Sequence, residues 1–131
     1  MPYVEGLRNL KTYKGEYDFA VDGGAISTIP LRSEDGAIPN GSVILGGYLE
    51  IDTGFTTGTS ATAALTVNAA NDIVSATIVS GAPYSTTGLK SIIPVFTGAT
   101  MVKTTAARVP SIVIATGTIT AGKGRLVLFY R

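Results

Sequence analysis

The stretch Ser111-Ile112-Val113-Ile114-Ala115-Thr116-Gly117-Thr118-Ile119-Thr120-Ala121-Gly122-Lys123-Gly124-Arg125-Leu126-Val127-Leu128-Phe129-Tyr130 decides the fold class. Both ends are apolar runs in which β-branched and aromatic residues dominate, and such side chains suit a pleated surface. In a strand, successive side chains point to opposite faces. Ile112 and Ile114 then lie opposite Val113 and Ala115, while Leu126, Leu128 and Tyr130 lie opposite Val127 and Phe129. The reading is a strand over residues 109–120, a turn at Ala121-Gly122-Lys123-Gly124 and a terminal strand over residues 125–131, together a hairpin. Both faces of the terminal strand are apolar. It is therefore expected to be central in its sheet or covered on both sides.

Strands and turns also alternate through the preceding chain. Residues 42–52 read as a strand interrupted at Gly46-Gly47, where a bulge or bend is expected. A Thr/Gly loop follows over residues 53–60. Residues 63–69 and 73–80 flank Asn71-Asp72, a hairpin-like pair of turn residues. Residues 81–88 form a loop, and residues 91–96 and 101–105 are short strands around Gly98. Residues 25–31 are a short strand in which Pro30 marks an edge or an end. Composition points the same way, with 18 Thr and 16 Gly against four Glu and no Gln. The expected fold is all-β: a single-domain β-sandwich, jelly-roll-like, with a small β-barrel as the alternative.

The first 35 residues differ, holding ten of the nineteen charges and little alternation. Residues 1–24 are read as an N-terminal arm or extended segment, and residues 25–131 as the β-sandwich domain. The arm carries Tyr3, Leu7, Leu10 and Tyr13 among Arg8, Lys11 and Lys14, with no strand or helix period. Apolar groups without a core of their own need another surface. These seven residues are the candidate partner-binding set.

The 131 residues include no Cys, His or Trp. Disulfides, zinc sites and iron–sulfur clusters lack their ligands, and triad hydrolysis lacks its imidazole. Charged residues are only 15% of the chain, so part of the surface is expected to be covered by a partner. All nine acidic residues fall within residues 1–72 together with four basic ones, while residues 73–131 hold six basic residues and no acid. Separated on the surface, such charges would let neighbouring copies attract. Met1-Pro2-Tyr3-Val4-Glu5 has neither the basic start nor the apolar stretch of a leader, and no run is long enough to span a membrane.

Four motifs carry no assignment. Ile51-Asp52-Thr53-Gly54 resembles the active-site loop of retroviral-type aspartic proteases, in which two Asp carboxylates activate water. Phe55 stands where that family has a small residue, and a strand end entering a loop accounts for the match. Glu50 and Asp52 share a strand face, but no third ligand accompanies them for a metal. Residues 81–91 lack the glycine–lysine spacing of a phosphate loop. Tyr84, Phe96, Phe129 and Tyr130 among the basic residues would suit single-stranded nucleic acid, yet strand positions make them core instead. No catalytic residue, cofactor or metal is assigned, and no enzyme, nucleic-acid or membrane role is expected.

Two segments carry a resemblance. Ile38-Pro39-Asn40-Gly41-Ser42-Val43-Ile44 leads to Tyr48-Leu49-Glu50-Ile51, and Ile119-Thr120-Ala121-Gly122-Lys123-Gly124-Arg125 leads to Leu126-Val127-Leu128-Phe129-Tyr130. Over residues 36–131 the chain resembles the small β-rich virion proteins of tailed bacteriophages that decorate or cement the head. The resemblance implies a structural protein on the capsid surface, made in the host cytoplasm. Its partner would be the major capsid protein and its own state a homo-oligomer, with a homotrimer expected. A head fibre, tail or connector component, or a module binding carbohydrate or another host-surface ligand, is the alternative.

Overall fold

Alternating burial along the chain marks out eight strands and one short helical turn in the computed structural model, which describes residues 10–91 and 101–131. In chain order these are β1 (Lys11–Asp18), α1 (Phe19–Asp22), β2 (Ser27–Pro30), β3 (Ile44–Thr57), β4 (Thr62–Thr66), β5 (Val74–Ile78), β6 (Gly88–Ser91), β7 (Ser111–Ala115) and β8 (Ile119–Tyr130). They form two four-stranded sheets of order β1-β8-β3-β6 and β2-β7-β4-β5. Every ladder is antiparallel. β1 pairs with β8, β2 with β7, β3 with β6 and β4 with β5, so the chain lies against itself in reverse order. The β3–β8 and β4–β7 ladders then gather this ribbon into two sheets. The result, among the described residues, is the all-β sandwich that the patterning predicts.

One core fills the space between the sheets. Tyr13 and Tyr17 of β1, Leu49, Ile51 and Phe55 of β3, and Leu126 and Leu128 of β8 point into it. Ala63 and Leu65 of β4 and Ile112 and Ile114 of β7 meet them from the other sheet. Full burial of each large side chain is worth about 1.5–3 kcal/mol. The β4–β5 turn is fixed by Asp72, whose carboxylate accepts from the backbone N–H groups of Val67, Asn68 and Ala69, each at 2.8 Å. This is the turn predicted from Asn71-Asp72, and Asn71 adopts φ 61° within it.

The expected C-terminal hairpin does not form. β7 and β8 belong to different sheets, and the chain crosses between them at Thr116 to Thr118. Thr116 takes φ 69°, the Thr118 N–H donates to Thr59 Oγ1 at 2.9 Å, and Thr57 Oγ1 donates to the Thr118 carbonyl at 2.7 Å. Ala121-Gly122-Lys123-Gly124 lies inside β8 and is no turn. Its glycines are there for space. A Cβ on Gly122, where φ is 150°, would sit 2.6 Å from the Phe55 ring. The expected central place of the last strand holds, because β8 runs between β1 and β3.

Other boundaries also move. β3 continues to Thr57 through the segment read as a Thr/Gly loop, bent by register shifts on either side of Thr53. The irregularity expected at Gly46-Gly47 is present as a register shift between Ile44 and Gly46. Residues 101–105 form an isolated bridge, Val43 with Lys103, in place of a strand. The strand expected over residues 91–96 lies almost wholly outside the described residues; its first residue, Ser91, ends β6. Within the expected arm, residues 11–18 are an integral strand. Tyr13 and Tyr17 alternate with exposed residues and so enter the core, a period too short to stand out beside the charges around it.

Candidate interaction surface

The outer face of the β1-β8-β3-β6 sheet carries a row of charges with exposed apolar side chains beside it and at its β6 end. Strand register places Glu16, Arg125 and Glu50 side by side across β1, β8 and β3. Arg125 Nη2 lies 2.9 Å from Asp52 Oδ2, and Nε lies 3.3 Å from Glu50 Oε1. The Asp52 hydrogen bond raises the Arg125 pKa above its ordinary value, so the guanidinium stays charged. About a third or more of each of these side chains is exposed to water. Such a pair contributes at most about 1 kcal/mol, so the row orders the surface more than it stabilises the fold.

Apolar side chains adjoin this row. Tyr48 lies opposite Val127 in register, and its ring stands 6.3 Å from that of Phe129. Leu45 projects where the register of β3 shifts, and Leu89 of β6 projects beside Glu50. Leu45, Tyr48 and Leu89 are 46%, 36% and 68% exposed, and Leu10, at the head of β1, is 39% exposed. An open depression between Tyr48 and Leu89 is floored by Gly47 and rimmed by Glu50, Lys90 and Ser91. Large apolar side chains gathered on one exposed face mark a surface made to be covered.

Among the described residues, the sheet edges discourage strand addition. Glu16 and Arg32 exchange backbone hydrogen bonds of 2.9 and 3.0 Å along the rim of β1, and the Lys14 N–H donates to Asp35 Oδ2 at 2.9 Å. Asp22 holds Arg32 in place through its Nε at 3.0 Å. β2 is short and ends at Pro30, β5 carries a register shift, and β6 is short and carries Lys90. Proline, irregularities, short length and lysine all discourage an added strand. The sheet face is therefore the more favourable surface for a partner.

The sequence-derived candidates are dispersed by this geometry. Tyr3, Leu7 and Arg8 lie outside the described residues. Leu10, Lys11 and Lys14 are exposed along β1 and its approach. Tyr13 is 1% exposed inside the sandwich and offers nothing to a partner. Asp52-Thr53-Gly54 is strand, not loop entry, and the Asp52 carboxylate is engaged by Arg125. Tyr84 and Tyr130 are core as expected, though Tyr84 reaches it from a turn, whereas Phe129 faces outward. Leu45, Tyr48 and Leu89 were missed. The available signal was Tyr48 alternating with Leu49 and Ile51, which puts an aromatic on the solvent side of a strand.

No family model matches the chain, and no curated protein matches it. Two solved structures share its fold. A chain of the cyanophage Pam1 capsid asymmetric unit aligns over 93% of this chain and 84% of its own length, with TM-score 0.59 and 21% identity. A chain of the acid-stable capsid of Helicobacter pylori bacteriophage KHP30 aligns over 92% and 86%, with TM-score 0.58 and 13% identity. The likeness is one of fold across nearly the whole chain.

Proposed function

We propose that this chain is a structural protein of a bacteriophage virion that decorates or cements the capsid by binding subunits of the major capsid protein. The observation that carries the reading is the fold likeness to chains of two phage capsids over more than nine-tenths of the chain. The sheet face supports it independently, because Leu45, Tyr48 and Leu89 present apolar surface beside a row of ordered charges. A covered apolar centre with a polar rim is the usual make-up of a protein interface. The arm residues Tyr3, Leu7, Arg8, Leu10, Lys11 and Lys14 belong to the same contact region, with Tyr13 withdrawn to the core. The working unit is a homo-oligomer, for which a trimer is expected.

Cryo-EM and mass spectrometry of purified particles of the encoding phage test the reading. The expected result is density for this sandwich on the outside of the head, in contact with the capsid shell. Particles that lack the chain, or carry it only in the tail, would overturn the capsid assignment.

A further inference from the structure

We infer that copies of this chain join end to side, the basic end of one sandwich, with Lys103, Arg108 and Arg131, seated against the acidic β1 rim of the next. This rests on the homo-oligomer in the proposed function and names the contact that makes it. Val43 bridges to Lys103 and exchanges backbone hydrogen bonds of 2.9 and 3.0 Å with Arg131, so these three residues stand side by side. Directly paired residues of antiparallel strands project to the same side, and two strand spacings place the two cationic residues about 10 Å apart. Both are exposed, with a neutral residue between them. Arg108 follows on the same segment, its Nε donating to the neutral Asn68 Oδ1 at 2.9 Å. Asp72 lines a depression with Lys103, but its carboxylate already accepts from three backbone N–H groups. Among the described residues, none of these three cations has an ion-pair partner.

The β1 rim has the complementary excess. An open depression there is lined by Lys14, Glu16, Arg32, Glu34, Asp35 and Arg125, with Thr12, Gly15 and Ser33 between them. Arg32 is held by Asp22, and Arg125 by Asp52 and Glu50. Glu16, Glu34 and Asp35, all exposed, are left with Lys14 as the one lining cation outside those pairs. A lysine or arginine of a neighbour can extend its stem into such an opening and keep its charged head hydrated. Opposite signs draw the end of one copy to the rim of another, while two like ends or two like rims repel. The rim follows the edge strand of its sheet, and the basic surface lies where the β3–β8 ladder ends, so a copy can use both at once. A contact between two different surfaces of one chain is heterologous and closes into a ring where the rotation permits, the symmetry of a trimer.

Charge reversal tests this on the purified full chain, independently of any virion. Lys103 and Glu34 are exposed and without ion-pair partners among the described residues, so Lys103→Glu and Glu34→Lys should both melt as the wild type does. In sedimentation each should weaken self-association by about fivefold or more, because an attraction becomes a repulsion. The chain carrying both reversals should recover wild-type association to within about twofold, since the two surfaces again carry opposite signs. A mixture of the two single variants should associate more tightly than either does alone. Raising the salt concentration should weaken the wild-type oligomer, as screening requires. Single variants that associate like the wild type, or losses that add in the double variant, would overturn the end-to-side contact. A wild-type chain that is monomeric would also overturn it, while leaving capsid binding open. Single variants that keep their oligomer but lose particle binding would assign the basic end to the capsid shell instead.

Discussion

The Tyr17 ring lies 5.5 Å from that of Phe55, tilted by 33°. This contact ties β1 to β3 across the intervening β8, and Phe55 continues to Tyr84 at 5.4 Å. Three aromatics thus hold one end of the core, and the first of them comes from the segment that reads as an arm. Tyr17→Ala is expected to cost about 3–5 kcal/mol, the usual loss for emptying a buried aromatic site. Deleting residues 1–17 removes most of the β1 ladder as well and should abolish the cooperative melt. Deleting only residues 1–9 should preserve it. Thermal unfolding followed by circular dichroism separates the two truncations, and a folded chain lacking residues 1–17 would show β1 to be dispensable.

A second prediction concerns Gly122. Its backbone has φ 150°, and an added Cβ would meet Phe55 ring atoms at 2.6 Å. The aromatic end of the core and the ladder to β1 and β3 both limit how far the chain can retreat. Gly122→Ala should destabilise the protein by about 1–3 kcal/mol, as overpacked cores do. Gly36→Ala serves as the comparison, since at φ 72° it is strained as well but has nothing within 4 Å of the added carbon. Equal losses for the two in urea titration would assign the Gly122 effect to backbone strain alone.

These two sites show what the sequence discloses and what it conceals. Leu126, Leu128 and Tyr130 reveal a strand because their period is local, and doubly apolar faces place it centrally. Glycine at Gly122 and Gly124 reads equally well as a turn or as room for a neighbour. Only the distant Phe55, at Gly122, and Glu50 and Ile51, at Gly124, decide, and pattern along the chain carries no information on those contacts. The same holds for β7 and β8, whose apolar runs look like hairpin partners although their ladders are made with strands far away in sequence. Tyr13 and Tyr17 alternate over too few residues to outweigh the charges between them. The depression on the sheet face stayed hidden for a related reason: Tyr48 and Leu89 come together only once β3 and β6 are paired.

Asp52 gives a third prediction. Its carboxylate accepts from Arg125 Nη2 at 2.9 Å on an exposed strand, where an ion pair is worth little. Asp52→Asn keeps a hydrogen-bond acceptor for the guanidinium and should change stability by less than about 1 kcal/mol. Particle binding is expected to survive within a few-fold. A peptide-cleavage assay on the purified protein should show no activity in either form. Cleavage by the wild-type chain that disappeared in Asp52→Asn would instead make the Asp-Thr-Gly segment a working protease loop.

The buried tyrosines make stability depend on pH at the alkaline end. Burial, with the nearby Asp22 and Asp18 charges adding to it, pushes Tyr17 up to about 12 from an ordinary value near 10. Burial likewise raises Tyr84, and it is the main cause of the rise at Tyr13. The folded state therefore holds these protons more tightly than the unfolded chain does. Their contribution to stability is complete below about pH 10, where both states are protonated, and it declines as pH climbs toward the folded-state values because the unfolded chain ionises first. Melting temperature should accordingly fall above about pH 10. Phenolate absorbance should show these three side chains ionising late, together with the loss of near-ultraviolet dichroism as the core opens. Tyr17→Phe removes one of the three hydroxyls, together with the hydrogen bond it donates to the Gly23 carbonyl. Its melting temperature should be lower at neutral pH and should fall less steeply above pH 10. An undiminished alkaline decline in Tyr17→Phe would mean that ionisation elsewhere drives the transition.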